Sequence, residues 1–447
     1  MNFNDIKNAV VNAAKKAQIT EYEIYYVQDS GVSAETLKHE ISSFSSSVSG
    51  GICFRCVVDG KMGYASSELI DPDEMEELVY RAVSNAKYVE SDDGGIIFSG
   101  SPKYEKINVP APCVLDAAHI KSMALSIQNE MYGSSDKVID GCESAVMSSE
   151  MWIRIFNSYG LDLENHVGRN LAYAQSAVNV DGEPANSFVI RRGTDHKDFD
   201  GMAKEAVDNA LAKIGAGHVE TGIYNIILDK YEMANLMSAF SPIFSAKNAQ
   251  NGMSLLAGKE GEKIASDILT ICDDPFHPAK FGKCPFDGEG VATYAKSVVE
   301  NGVLKTLLYD LATAKKAGVA STANGQRAGY AQPVTIAPYH FYLKSGNRSC
   351  EELMACVQDG VYITEMKGLH AGADAVTGDF SIECGGFRIR DGKQCEAIRA
   401  FTVAGNFFEL LQKVEALSCR TEFGFPAGFT VYGSPEVLLR GMSVGGK

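Results

Sequence analysis

Tyr231 to Glu262 reads YEMANLMSAFSPIFSAKNAQNGMSLLAGKEGE. It follows an apolar run, Tyr224 to Leu228, that reads as a strand. Apolar residues then fall at Met233, Leu236, Met237 and Phe240, and that spacing of three and four is helical. Glu232 and Asn235 fall on the other face of this helix, and Pro242 closes it. A strand and then a helix therefore open the second half of the chain.

With 447 residues, the chain is long enough for about two or three domains. It is 45% hydrophobic and 22% charged, so a sizeable core is expected. The formal net charge of -16 argues against nucleic acid or an anionic membrane as a general partner. No basic run offsets that charge, since Lys315-Lys316 and Arg191-Arg192 are only pairs. The first residues, MNFNDIKNAVVNAAKKA, read as an amphipathic helix rather than a signal peptide. No apolar run approaches the roughly 18 residues of a membrane span. Eleven scattered cysteines fit a reducing cytoplasm. Cys53 and Cys56 lie in an alternating strand, where residues three apart face opposite ways. No second pair completes a zinc site, so these two cysteines are read as structural.

Asn4 caps a first helix, and strands are expected at Glu21–Asp29, Lys38–Val48 and Ile52–Val58, with Gly50-Gly51 turning the chain between the last two. Asp59-Gly60 is a hairpin signal leading into Lys61–Ser66, and Asp71-Pro72 starts a helix. After a Gly- and Pro-rich linker from Asp92 to Pro112 comes a helix at Leu115–Tyr132. Strands return at Cys142–Ser149, Met151–Asn157, Leu161–Glu164, Ala172–Val180 and Glu183–Arg192, and a helix at Asp198–Ile214 ends the half. The order helix, antiparallel strands, helix thus occurs twice, a sign of internal duplication or of two halves of one sheet. The expected division is an N-terminal α/β domain over residues 1–220 and a C-terminal β-rich domain over residues 221–447.

The second half reads as many short strands with few helices. Strands are expected at Asp287–Val291, Lys296–Val299, Leu304–Tyr309, Phe341–Lys344, Gly360–Met366, Phe380–Glu383, Gly386–Arg390, Ala397–Val403 and Thr430–Tyr432, with helices at Leu311–Ala317, Cys350–Val357 and Asn406–Val414. The fold class is α+β: an antiparallel sheet with helices, then a mostly-β barrel or sandwich-like domain.

None of the eight histidines forms an H-E-x-x-H or H-x-H motif. A metal site would have to assemble from His340, His370, Cys384 and Cys419, and ordinary packing is the simpler reading. No G-x-S-x-G elbow is present, and Ser238 and Ser241 have no base beside them. The acids Asp273-Asp274 and Asp287/Glu289 could hold a hard cation, although DDP and DGEG are commoner as turns. Two segments combine glycine with hydroxyl and amide groups. One is Ser321-Thr322-Ala323-Asn324-Gly325-Gln326-Arg327, and the other is Thr377-Gly378-Asp379-Phe380-Ser381 with Gly385-Gly386-Phe387 beyond it. Such loops let a backbone approach a ligand; they also serve as plain turns, and both readings stand.

Several stretches carry a resemblance. GGICFRCVVDGKMGYASS, LLAGKEGEKIAS, ENGVLKTLLYD, STANGQRAGYA, VTGDFSIECGGFRIRDGK, FTVAGNFFELLQKV and the closing SVGGK together resemble the TldD/PmbA family, also called the modulator of DNA gyrase family. TGDFS and STANG are similar to its PmbA branch, also called TldE. The resemblance implies a role in proteolysis and peptide maturation. It also implies that TldD-type chains carry H-E-x-x-x-H on the helix after the first C-terminal strand. Counted back from Gly261-Glu262, that motif falls on Met237-Ser238-Ala239-Phe240-Ser241-Pro242. Proline cannot coordinate, and methionine is a poor zinc ligand. The family's third ligand, a cysteine, should fall near Thr421–Phe425, and Cys419 is close only with a gap. The resemblance therefore implies a non-catalytic subunit that needs no cofactor, with zinc on a TldD-type partner and unfolded peptide as substrate. Two alternatives are an independent peptidase with an unrecognised site and a homodimeric peptide-binding protein.

Overall fold

A computed structural model describes residues 3–90, 95–105, 114–193, 195–278 and 283–447. Six antiparallel strands form the N-terminal sheet, in the spatial order Lys61–Ser67, Glu40–Val58, Tyr22–Leu37, Glu143–Asn157, Asp162–Val180, Glu183–Arg192. The two similar halves meet where Tyr22–Leu37 pairs with Glu143–Asn157, so the repeated order makes two halves of one sheet.

The period of two sorts this sheet into two faces. Ile24, Ile52, Phe54 and Cys56 pack with the helices Phe3–Lys16 and Pro72–Ala86. At the other end Val146, Ala172, Ala174 and Val178 pack with Ala117–Ser134 and Met202–Leu211. The opposite face presents Tyr25, Val27, Cys53, Ile153 and Ile155 to Phe286, Tyr330 and Phe429 of the C-terminal half. Cys53 and Cys56 thus face opposite ways. Helix starts follow local chemistry: Asp71 accepts the Glu74 N–H, and Ser349 forms a capping box with Glu352.

In the C-terminal half, Gly222–Leu228, Gly360–Lys367, Asp379–Arg390, Lys393–Asn406 and Val437–Gly445 form a closed five-stranded barrel. The helix Lys230–Phe240 leaves this barrel with Met233, Leu236, Met237 and Phe240 buried. Phe240 stacks on Phe407 with ring centres 4.4 Å apart. Beyond it lies a second six-stranded sheet that includes Ile271–Asp273, His340–Leu343, Val431–Ser434 and Glu422–Phe423.

Six expectations are corrected, two of them because Cys142–Ser149 with Met151–Asn157, and Leu161–Glu164 with Ala172–Val180, are the single strands Glu143–Asn157 and Asp162–Val180. Lys38–Val48 and Ile52–Val58 belong to one strand, Glu40–Val58, in which Gly50 and Gly51 pair with Gln28 and Val27. The turn lies at Lys38-His39, both left-handed at φ 52° and 64°. Gly51 is required for close approach instead: a Cβ there would lie 2.5 Å from the Tyr330 ring and 2.7 Å from the Ser67 carbonyl. Phe380–Glu383 and Gly386–Arg390 likewise join into Asp379–Arg390, with a register shift between Cys384 and Gly386. Asp287–Val291 is a tight turn rather than a strand, because Asp287 Oδ1 accepts the N–H groups of Glu289 at 2.9 Å and Val291 at 3.0 Å. The strand expected at Leu304–Tyr309 shrinks to Val303–Leu304, and Leu308 bonds to Phe244 and Ala246 instead. Among the described residues, no helix is long and apolar enough to cross a membrane.

Candidate functional site

The opening helix is set in place by its cap. Asp229 accepts the Tyr231 N–H at 2.8 Å and the Tyr362 hydroxyl at 2.9 Å. Further along, Met237 is 2% exposed within the apolar core. The Ser241 hydroxyl lies 2.7 Å from that of Tyr432, and Pro242 sits in the 3-10 turn Ser241–Phe244. The strand Glu422–Phe423 packs against this helix, and Arg192 donates to the Phe423 carbonyl at 2.9 Å and to the Gly424 carbonyl.

Zinc takes thiolate, imidazole or carboxylate donors. Here the helix offers a thioether buried among apolar side chains, two hydroxyls and a proline, and Thr421–Phe425 brings no thiol. These residues do not fit the metal. Among the described residues, no group of three or more His, Cys, Asp or Glu side chains is placed to hold an ion. His340 is buried with Nδ1 2.9 Å from the Asp274 carbonyl, and Cys384 is buried in the barrel. His370 and Cys419 are exposed.

Beside the first turn of the helix lies a cleft of about 620 Å³. One wall is Asn186–Ile190, part of the last strand of the N-terminal sheet. The other wall carries Asp229, Lys230, Tyr231, Glu232, Asn235 and Tyr362. A smaller cleft of about 200 Å³ shares Asn186 and Lys213 with the first and reaches Gly385-Gly386 and Arg399. Together they form a groove along the Glu183–Arg192 strand, whose outer edge pairs with no other strand among the described residues. The Asn186 carbonyl turns outward and accepts Lys213 Nζ at 3.0 Å. By the alternation of an antiparallel ladder, the main-chain groups of Phe188 and Ile190 turn the same way. Burial raises the Asp229 carboxyl above the usual range. Burial and the nearby Asp229 push Glu232 up to about 8.

The first glycine loop sits elsewhere, with its polar groups bonded within the protein. The Thr322 hydroxyl donates to Asn324 Oδ1 at 2.8 Å, Asn324 Nδ2 to Asp273 at 2.7 Å, and the Gly325 N–H to Asp287 at 3.0 Å. Ser321 bonds the Tyr309 carbonyl and lines a separate cleft of about 670 Å³. Asp273 also meets Lys296 at 3.0 Å, and Glu289 accepts the Leu311 N–H at 2.9 Å, so these acids brace loops. In the second loop, Asn406 Nδ2 bonds the Thr377 carbonyl and Asp379 Oδ1, both at 2.9 Å. The Gly378 carbonyl accepts the Phe407 N–H, and Phe380 is buried edge-on to Phe240. Of the segments read from sequence, Gly385-Gly386-Phe387 reaches the groove. The groove's strand edge and Glu232 were not read as site features. Their signals were a strand ending a sheet and two polar residues on the free face of an apolar helix.

A family model described as the PmbA/TldA metallopeptidase C-terminal domain matches residues 221–446, and one described as domain 1 of these metallopeptidases matches residues 22–86. This chain belongs to the TldD/PmbA family. A Methanothermobacter thermautotrophicus protein named metalloprotease is 28% identical over 433 residues, 91% of this chain and 91% of its own length. A Thermotoga maritima structure described as a candidate modulator of a DNA gyrase matches with TM-score 0.88 and 27% identity, over 99% of this chain and 100% of that one. TldE from Thermococcus kodakarensis matches with TM-score 0.88 and 22% identity, over 98% and 99%, a likeness of fold.

Proposed function

We propose that this chain is the non-catalytic, PmbA/TldE-like subunit of a two-component metallopeptidase that processes unfolded peptides in the cytoplasm with a TldD-type partner. The observation that carries this reading is that, within a family fold, the metal-motif positions hold a buried methionine, half-buried serines and an exposed proline, none of them a zinc ligand. Met237 packs among apolar side chains and Pro242 offers no donor, so water activation by zinc has no ligand set on this helix. The chain's own contribution is positional. The free edge of Glu183–Arg192 offers alternating N–H and C=O groups to a peptide laid beside it as an added strand. The facing aromatic and polar side chains fix the register of that strand.

Reconstitution tests the proposal. The chain, a TldD-type chain and their mixture are assayed on an unfolded peptide, with complex mass measured by light scattering. The expected result is a mixed complex whose activity exceeds that of either chain alone. Turnover by the pure chain would favour an independent peptidase. Self-association without binding to the TldD-type chain would favour a homodimeric binder.

A further inference from the structure

We propose that the groove selects peptides that carry a basic side chain, and that Glu232 is the carboxyl that receives the positive charge. This rests on the reading of the groove as a peptide site. Its larger cleft, beside the opening helix, holds four carboxyl groups, Glu205, Asp229, Glu232 and Glu365, against two amines, Lys213 and Lys230, while Lys367 and Arg399 line the smaller cleft, where Arg399 pairs with Glu183 at 3.1 Å. The amines are engaged: Lys230 faces Glu436 at 3.7 Å, and Lys213 faces Glu365 at 3.7 Å. Glu365 is also 3.5 Å from Lys367, and Glu205 is paired with Arg191 at 2.5 Å. Asp229 is held by the Tyr231 N–H and the Tyr362 hydroxyl. Glu232 lines the cleft, accepts hydrogen bonds from Asn235 Nδ2 at 3.4 Å and from the Met366 main chain, and forms no ion pair among the described residues.

The groups around Glu232 make a cation the complementary ligand. Asp229 lies just before it in the chain, and Glu365 lies on the barrel strand across from it. Burial is the main force against a charge on Glu232, and the two acids add to it by repulsion, so with its carboxyl pushed up to about 8 the group keeps its proton in the empty groove at neutral pH. A lysine or arginine side chain from an added strand reverses that balance. Glu232 then ionises, its proton passes to the buffer, and a charge-assisted hydrogen bond forms in a partly desolvated cleft. An acidic peptide meets repulsion at the same place.

Titration calorimetry at pH 7, in two buffers of different protonation heat, tests this. The probes are two blocked eight-residue extended peptides, identical except for one central lysine or norleucine. The lysine peptide is expected to bind at least about tenfold tighter, with release of close to one proton. In Glu232→Gln the two affinities converge and proton release disappears, while binding of the norleucine peptide persists and reports an intact groove. Equal affinities for the wild-type chain would overturn charge selection alone. Proton release that survives in Glu232→Gln would overturn the role of Glu232. Failure of both peptides to bind, by this chain alone or with a TldD-type chain, would overturn the proposal together with the peptide-groove reading.

Discussion

Glu23→Gln tests how the two halves of the chain are joined. Glu23 comes from the N-terminal sheet, and its side chain has no exposed surface. Its Oε1 accepts Arg327 Nη2 at 2.5 Å, and Arg55 Nη2 lies 2.8 Å from the same oxygen. Arg327 belongs to the C-terminal half and is also fully buried, with its guanidinium 4.4 Å from the Tyr25 ring centre. Arg55 has a second acid, Glu289, at 4.0 Å, whereas among the described residues Arg327 has none. Glutamine keeps the volume and an accepting oxygen but removes the charge, which leaves the buried Arg327 guanidinium without a counter-charge among the described residues. Breaking a buried pair in this way costs about 3–5 kcal/mol. Urea unfolding at pH 7 should show that loss. The double variant Glu23→Gln/Arg327→Met should recover much of it, because the stranded charge is then gone. A single-variant cost below about 1 kcal/mol, or a double variant worse than the single, would refute the argument.

Gly51→Ala should destabilise the chain by about 1–3 kcal/mol in the same assay, because the new methyl meets Tyr330 and the Ser67 carbonyl. Burial pushes His340 down to about 4. The unfolded chain therefore takes up a proton first as pH falls, and stability is lost from pH 6.5 towards 4, by up to about 3 kcal/mol. In His340→Gln the pH dependence of the unfolding free energy should be shallower over that window; an unchanged slope would contradict the assignment. Met237→His buries an imidazole in the core and should cost about 2 kcal/mol or more. It should leave zinc content at the wild-type level, as read by elemental analysis, because among the described residues no group of ligands is placed to hold an ion.

Much of this architecture is written in local chemistry. Asp71, Pro72 and Ser349 mark helix starts because a cap is decided within four residues. The spacing of Met233, Leu236, Met237 and Phe240 gave the face that is buried. Gly50-Gly51 was misread because the reason for Gly51 is a ring 279 positions away, which no local pattern carries. The barrel-closing strand Val437–Gly445 went unread because Gly441, at φ 64°, interrupts its pattern. The groove was hidden for a related reason: its walls come from both halves of the chain. In STANG, small polar residues were compatible with a ligand loop or a turn, and only the fold shows Asn324 and Gly325 turned towards Asp273 and Asp287.

Elemental analysis of the purified, untagged chain tests the central claim most directly. The account predicts near-zero zinc, because Met237, Ser238 and Pro242 provide no ligand set. About one tightly bound zinc per chain would contradict it.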